Sequence, residues 1–218
     1  MTTLTNNLTT PITTIKHALS LIGGLTETSK MPSASYSIPA QECNKGSRLR
    51  LIKGSVCSTC YALKGNYTRY PKIIQSQYKR LETIKGPQWV DAFNYLIRNK
   101  KSITTSKVFR WHDAGDIQNL QHFNKIIQIA VDNPSVRFWL PTKESELIKN
   151  FSGSIPKNLI IRLSGSMIDG KPPIYSHTST VVTNKDDATC RSFDNGGKCG
   201  SCRKCWDKSI ETVSYFKH

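Results

Sequence analysis

Two neighbouring segments of the chain repeat hydrophobic residues at the spacing of an amphipathic helix. Residues 71–85 carry apolar side chains at positions 73, 74, 78, 81 and 84, and residues 86–100 do so at positions 89, 90, 93, 96 and 97. Because a helix turns once every 3.6 residues, these positions fall on one face of each segment. We predict helices over both segments, with Pro71 in a first turn, and a shorter helix near residues 12–22.

After residue 107 the pattern changes to apolar runs that alternate with helical segments. VFRWHDAGDI (108–117), VRFWLPTKE (136–144) and NLIIRLSGSMIDG (158–170) are typical of buried strands, whereas QHFNKIIQIAVDN (121–133) and residues 144–150 favour helices. Strands and helices that alternate with short connections build a parallel sheet. The predicted fold class is therefore α/β, a partial (open) parallel βα barrel with three clear strands.

Each predicted strand ends in polar residues. They are Arg110, His112, Asp113, Gly115 and Asp116 after the first strand, Thr142, Lys143 and Glu144 after the second, and Ser164, Ser166 and Asp169 after the third. Taken singly, each has a structural explanation, with Asp116 as a helix cap or His112 as a satisfied buried histidine. Because ligands bind at the carboxyl ends of parallel strands, three such ends in succession predict one shared site.

Length and composition indicate a globular protein with one good core. The 218 residues are 37% hydrophobic and 21% charged, which excludes a disordered chain. No apolar run reaches the roughly 18–20 residues of a membrane span, and no basic region precedes the apolar part of the N-terminus, so we expect no membrane partner and a cytoplasmic protein. We divide the chain into a loosely structured lead-in with a short helix (1–30), an α/β core with a cysteine loop (31–180) and a cysteine-rich metal-binding segment packed on the core (181–218).

The positive charge is concentrated in one third of the chain. The formal net charge is +16, and residues 44–110 hold fifteen basic side chains against only Glu82 and Asp91. Such a field attracts polyanions, so nucleic acid is the predicted partner, and solubility alone is the other explanation. The candidate nucleic-acid contacts are Lys45, Arg48, Arg50, Lys53, Lys64, Arg69, Lys72, Lys79 and Arg80.

Seven cysteines carry the strongest chemical signal. They are Cys43, Cys57, Cys60, Cys190, Cys199, Cys202 and Cys205. An odd number in a chain without a secretion signal argues against a disulfide framework. Pairs of thiolates two residues apart can turn onto one metal ion or cluster, so the spacing predicts metal binding.

Two divisions of these cysteines remain open. Zinc requires four thiolates, such as Cys57 and Cys60 facing Cys202 and Cys205, and leaves three cysteines without a role. In the other division, Cys43, Cys57 and Cys60 hold one [4Fe-4S] cluster with an open iron, and the remaining four cysteines form a second, closed site. The second division uses every thiol.

The order of these parts resembles the radical S-adenosylmethionine (SAM) core, in which a cysteine motif precedes the first helix and Gly-Gly-Glu ends the second strand. The resemblance places Ala114-Gly115-Asp116 where Gly-Gly-Glu stands, with Asp116 receiving the amino group of SAM. It implies further SAM contacts from Gly115, Thr142, Lys143, Ser164 and Ser166. The chain departs from the pattern in three ways: thirteen residues separate Cys43 from Cys57, Asp replaces Glu, and only three strands are clear.

A closer resemblance concerns SKMPSASYSIPA, GSVCSTCYALKG, FRWHDAGD, RFWLPTKE, GKCGSCRKCWD and the ending SYFKH. These stretches, spread over residues 29–218, are similar to the phage and plasmid gene-product-eighty-eight-like family. The resemblance implies a protein that works in the cytoplasm of a host cell, and it says little about the reaction.

Three functions follow as hypotheses. The first is a radical SAM-like iron–sulfur enzyme acting on nucleic acid or a nucleic-acid-associated substrate, with His112 and Asp113 positioning substrate or moving protons. The second is a non-catalytic nucleic-acid-binding protein in which iron–sulfur or zinc sites stabilise a small fold. The third is a metal-dependent nuclease that uses His112, Asp113, Asp116 and Asp169.

Overall fold

The computed structural model describes residues 10–217. Their centre is one sheet of six parallel strands, which lie side by side in chain order. The strands are β1 (Ser35–Tyr36), β2 (Val108–Trp111), β3 (Arg137–Thr142), β4 (Leu159–Ile168), β5 (Thr178–Val182) and β6 (Thr212–Phe216). Every crossover therefore advances the sheet in the same direction.

Within residues 10–217, eight α-helices accompany the sheet, most of them between β1 and β3. They are α1 (Ile15–Ile22), α2 (Asn44–Leu49), α3 (Asn66–Arg69), α4 (Pro71–Thr83), α5 (Trp89–Asn99), α6 (Lys101–Ser106), α7 (Leu120–Asp132) and α8 (Ser145–Lys149). Local signals set several of their ends. The Thr14 hydroxyl accepts a hydrogen bond from the His17 amide at the start of α1, which ends at Gly23 with φ 74°, and Asn119 caps α7 in the same way.

The two faces of the sheet bury different parts of the chain. Successive strand residues point to opposite faces, so Phe109, Phe138 and Ile161 pack against the helices together with Trp89 and Phe93. On the other face, Val108, Trp139 and Val213 pack against Cys205 and Trp206 of the C-terminal segment. The Trp206 indole N–H donates to the Phe109 carbonyl at 2.8 Å, which fixes this segment on β2.

The sheet curves around the C-terminal segment. Adjacent strands are spaced about 4.8 Å apart, so β3 and β6 would stand about 14 Å apart in a flat sheet. The rings of Trp139 and Tyr215, which belong to these two strands, nevertheless stack with their centroids 6.5 Å apart. The face that carries the C-terminal segment is therefore concave.

The helices predicted over 71–85, 86–100, 121–133, 144–150 and near 12–22, and the three predicted strands, are confirmed. The sheet has six strands rather than three. The sequence did not indicate the other three, because β1 is two residues long and β5 and β6 are short runs rich in Thr and Ser. The predicted boundary at residue 180 falls inside β5, and β6 belongs to the same sheet as the core. Residues 1–9 of the predicted lead-in lie outside the described residues. None of the helices in residues 10–217 is both long and apolar enough to cross a bilayer.

Candidate metal centre

Cys43, Cys57 and Cys60 lie at the carboxyl edge of the sheet. Cys43 follows β1, and the chain then makes α2 and returns along the end of β4, where Ser55 bridges to Met167. The Ile168 amide donates to the Gly54 carbonyl at 3.0 Å in the same place. The thirteen residues between the first two cysteines therefore form a helix and a return that bring Cys57 back to Cys43.

Gly46 marks the point where these two thiols converge. A Cβ atom on Gly46 would lie 3.6 Å from the Cys43 sulfur, 3.7 Å from the Cys57 sulfur and 2.9 Å from the Cys43 Cβ. Cys60 packs in the same group, beside Cys43, against Ala40, Ala62 and Ala114. We call Cys43, Cys57 and Cys60 the first cysteine group. The first turn of α2 lies against it, and position 46 has room only for glycine.

Asp116 joins the end of β2 to the end of β3 beside the thiols. Its carboxylate accepts hydrogen bonds from the Thr142 hydroxyl at 2.6 Å and from the Lys143 and Ile117 amides at 2.8 Å each. Burial raises the pKa of Asp116 to about 6, although these three bonds lower it. Burial, and then the Asp116 charge, raise the pKa of the Cys43 thiol. The carboxylate therefore stands next to the first cysteine group.

Gly115 is placed by the backbone rather than by a ligand. Its φ of 81° lies in the left-handed region, and a Cβ there would lie 2.6 Å from the Ile38 carbonyl oxygen. The Ile38 amide also donates to the Ala114 carbonyl. This close approach of the chain after β1 to the chain after β2 requires glycine.

The residues after β3 hold the cysteine loop. The Lys143 ammonium donates to the Gly165 carbonyl of β4 at 2.5 Å. Burial lowers the pKa of Lys143, and the neighbouring Cys57 raises it. Glu144 accepts from the Lys45 amide at 2.9 Å. The ends of β3 and β4 are thus tied to each other and to the start of α2.

Asp113 and His112 face different surroundings. Asp113 accepts from the Ser35 hydroxyl at 3.0 Å and from Tyr67 at 3.2 Å, and its carbonyl accepts from Tyr61. His112 has φ 54° and turns its ring toward the helices, where it stacks on His122 with centroids 5.2 Å apart. Asp113 therefore lies under the two tyrosines that follow Cys60, and His112 lies in the helix layer.

The serines and the aspartate of β4 spread along the strand. The Ser164 hydroxyl accepts from Ser179 of β5 at 3.1 Å, and Ser166 is half-buried beside the residue that bridges to the cysteine loop. Asp169 accepts from the Thr183 amide and hydroxyl at 2.7 Å each. Its carboxylate caps the end of β5 rather than joining Asp116.

The other four cysteines, which we call the second cysteine group, belong to the segment between β5 and β6, and Cys190 and Cys205 pack on the concave face. The Cys190 amide donates to the Ser214 carbonyl of β6 at 3.0 Å, and the Cys205 sulfur lies 3.1 Å from the Tyr215 hydroxyl. Burial raises the pKa of Cys205 to about 11, with Cys190 adding to the rise. Burial also raises the pKa of Cys199, and Cys190 and Cys202 raise it further. Three of the seven thiols therefore lie in the loop after β1, and four lie between β5 and β6.

Arg110 lies between the tyrosines that follow Cys60 and the second cysteine group. Its guanidinium stands 4.5 Å over the Trp139 ring, and its buried Nε has no hydrogen-bond partner within residues 10–217. Burial lowers the pKa of Arg110, but Tyr61, Asp113, Tyr215 and Cys205 together raise it above its ordinary value. This one cation therefore acts on the tyrosines after Cys60 and on the second cysteine group.

The potential metal ligands do not form a compact metal site within the residues that the structure describes. Within residues 10–217, no three His, Cys, Asp or Glu side chains stand close enough to share one ion. Four thiolates on one zinc would lie about 3.8 Å apart. The ligands of a four-iron cluster each bind a different iron and so stand farther apart. A four-iron cluster therefore requires less convergence of the thiols than zinc does.

A family model for gene product 88 matches residues 5–208. The chain belongs to the gene product 88 family. Comparisons with curated proteins and with solved structures gave no match.

Most of the predicted basic contacts of this gene product 88 protein lie on its surface. The exposed ones are Arg48, Lys53, Lys64, Arg69, Lys72 and Lys79, and Lys45 and Arg50 are half-buried. Arg80 is 7% exposed, and its guanidinium donates to Thr26, Ser37 and the Leu25 carbonyl. Arg80 is therefore a core residue that links α4 to the chain around β1.

Sequence reasoning did not find Gly46 or Arg162. Gly46 stands three residues after Cys43, and that spacing was its only signal. Arg162 occupies an interior strand position, where a lone charge in an apolar run was the available signal. Its function depends on carbonyls from another part of the chain, which no local pattern reveals.

Proposed function

We propose that this gene product 88 protein is an iron–sulfur enzyme of radical SAM type that acts on nucleic acid or on a nucleic-acid-associated substrate. Cys43, Cys57 and Cys60 would hold a four-iron cluster with one iron free of cysteine, and the other four cysteines a closed site. The observation that supports the proposal is the convergence of the Cys43 and Cys57 sulfurs on Gly46, with Cys60 packed beside Cys43. Three protein thiolates leave one iron open, which a purely structural site does not need.

The strand order supports the resemblance to the radical SAM core. The cysteine loop follows the first strand, and Ala114-Gly115-Asp116 ends the second. Six parallel strands in chain order, curved about a concave face, are what an open βα barrel requires. Bound at this edge, the cluster would supply the electron for reductive cleavage of SAM.

Asp116 and Lys143 would orient the ligand. A carboxylate accepts about four hydrogen bonds, and Asp116 receives three from the protein, so one position is left for an ammonium group. Lys143 holds its ammonium against Gly165 near Cys57, where it would pair with a ligand carboxylate. Asp113 would hold Tyr61 and Tyr67 in position, and these two rings would face the substrate.

A second candidate is a cluster-bearing, non-catalytic nucleic-acid-binding protein. The observation that favours it is that the carboxylate of Asp116 already serves as a link between β2 and β3. In that case the strand-end acid stabilises the fold and no SAM binds.

Anaerobic purification with iron, sulfide and zinc analysis separates these functions. We expect about eight irons with matching sulfide in the wild type, and the loss of about four in both Cys57→Ser and Cys202→Ser. After reduction with dithionite, SAM should change the electron paramagnetic resonance spectrum of the wild type and of Cys202→Ser, but not of Cys57→Ser. Iron without a response to SAM would favour the second candidate, and about one zinc without iron would overturn both cluster assignments.

A further inference from the structure

A cavity of about 450 Å³ opens beside the first cysteine group. It is lined by Thr59, Tyr61, Lys64, Gly65, Asn66, Tyr67 and Lys217. The first six follow Cys57 in the loop after β1, and Lys217 follows β6, so the cavity joins the two edges of the curved sheet. It is an open depression rather than an enclosed pocket, so a ligand seated here keeps one side in solvent.

Two tyrosines provide an aromatic wall. Tyr61 and Tyr67 meet edge to face, with ring centroids 5.9 Å apart, and Tyr61 is 50% exposed. Both hydroxyls are directed to Asp113, so the rings are held in place from below. A fixed, exposed ring beside a cavity is suited to stacking with a planar group.

Two lysines from distant parts of the chain provide the charge. Lys64 enters from the cysteine loop, and Lys217 is held at the edge by its amide, which donates to the Val182 carbonyl at 2.9 Å. The lining residues that the structure describes include no carboxylate. Gly65, with φ 56°, has open space where a Cβ would stand, which keeps the mouth of the cavity wide. An anionic ligand fits this surface.

We propose that this cavity binds one nucleotide, with its base against Tyr61 and its phosphate between Lys64 and Lys217. Aromatic stacking combined with lysine contacts to phosphate is how proteins hold single-stranded nucleic acid. Exposed Arg69, Tyr70 and Lys72 continue the surface beyond Tyr67, which supplies contacts for a neighbouring nucleotide. Nucleotide binding in this cavity does not depend on the proposed function. Only its assignment as the substrate site beside Cys60 rests on that function.

Charge reversal tests the phosphate contacts. Binding of a labelled 12-nucleotide single strand is measured by fluorescence anisotropy for the wild type, Lys64→Glu/Lys217→Glu and the control Lys101→Glu/Lys157→Glu. Lys101 and Lys157 are exposed and precede β2 and β4, at the amino edge of the sheet, so the control makes the same charge change away from the cavity. We expect the cavity variant to bind about tenfold more weakly and to lower the salt slope by about 0.7, since the two lysines share one phosphate and each phosphate on a single strand contributes about 0.7. Equal Kd values for the two double variants would overturn the proposal.

Substitution of Tyr61 tests the stacking. Tyr61→Ala should weaken binding about tenfold, and Tyr61→Phe, which keeps the ring, should restore it. If Tyr61→Ala binds as tightly as the wild type, no base lies on this ring. Adenosine monophosphate as competitor identifies the source of the nucleotide. Displacement of the strand at millimolar concentration, lost in the lysine variant, indicates a free nucleotide, and no displacement indicates a unit of a longer strand.

Iron analysis of the same preparations keeps the two proposals apart. Lys64→Glu/Lys217→Glu should retain the iron of the wild type, and Cys57→Ser should retain strand binding while losing iron. A wild type without iron would overturn the proposed function and leave the cavity assignment standing on its own binding data.

Discussion

Arg162 is the side chain whose replacement should disturb the C-terminal segment most. It is 0% exposed, and its guanidinium makes five hydrogen bonds of 2.9–3.4 Å to backbone carbonyls. The acceptors are Thr178, Lys204, Cys205, Asp207 and Glu211. Four of them belong to the connection between β5 and β6, so one side chain of β4 organises the turn that carries Cys205.

The cost of Arg162→Met follows from these bonds. A hydrogen bond to a charged group contributes about 1.5–3 kcal/mol, and a buried acceptor left without a donor costs about 1–3 kcal/mol. Water can reach some of the carbonyls once the segment loosens, so the sum is an upper limit. We expect a loss of about 4 kcal/mol in the free energy of unfolding, which for a chain of this size lowers the Tm by roughly 10 °C. Arg162→Lys, with three donors on one nitrogen, should lose about half as much.

Calorimetry and urea unfolding measure this loss, with Arg137→Met as the control. Arg137 is an exposed arginine of the neighbouring strand, and its replacement should change stability by less than about 0.5 kcal/mol. Limited proteolysis should cut Arg162→Met first between residues 183 and 211. If Arg162→Met unfolds within 2 °C of Arg137→Met, the five bonds do not hold the segment and the reasoning is refuted.

Three further predictions concern positions where the structure leaves little room or little water. Gly46→Ala places a methyl group 2.9 Å from the Cys43 Cβ, so we expect iron content after anaerobic purification to fall by about four atoms with the fold intact by circular dichroism; full iron would show that position 46 has room for more than glycine. Gly115→Ala sets a Cβ 2.6 Å from the Ile38 carbonyl oxygen at a positive φ. It should lower the free energy of unfolding in urea by at least about 3 kcal/mol, and a variant as stable as the wild type would contradict this reasoning. Burial lowers the pKa of His122 to about 3, below the ordinary value of about 6.5, so its contribution is complete above pH 6.5 and is lost as the pH falls below it. Between pH 7.5 and 5.0, His122→Phe should therefore lose about 2 kcal/mol less stability than the wild type, and equal losses would show that His122 takes up its proton in the fold as readily as in the unfolded chain.

The sequence was most informative where burial is continuous along the chain. The strands over 108–111, 137–142 and 159–168 and the helices over 71–83 and 89–99 bury one or both faces, so their periodicity is visible in one segment alone. Strand β1 was missed because two residues have no periodicity. Strand β6 was missed because it follows the cysteine segment and pairs with a strand more than thirty residues earlier.

For the candidate site, residue type could be predicted better than residue position. The spacing of the cysteines predicted metal binding, since thiols two residues apart share a turn, and both divisions of the seven thiols stay predictions. The burial of single side chains could not be predicted from the sequence. Arg80 lies in a basic run but turns into the core. His112 ends a strand but turns into the helix layer. Both orientations are set by partners from distant segments, which one sequence does not reveal.

The connection between β5 and β6 links the folding of the cysteine segment to the solubility of the new chain. Neighbouring parallel strands need a crossover of about a dozen residues or more, usually a helix, and here residues 183–211 make it with short 3₁₀ turns and four cysteines. Strand β6 is synthesised after the other five strands and after all seven cysteines, so β5 is the edge of the sheet until this crossover has folded. An uncovered edge pairs readily with the edge of another chain. A molecule in which residues 183–211 fail to fold is therefore prone to aggregate during synthesis, before any question of catalysis arises.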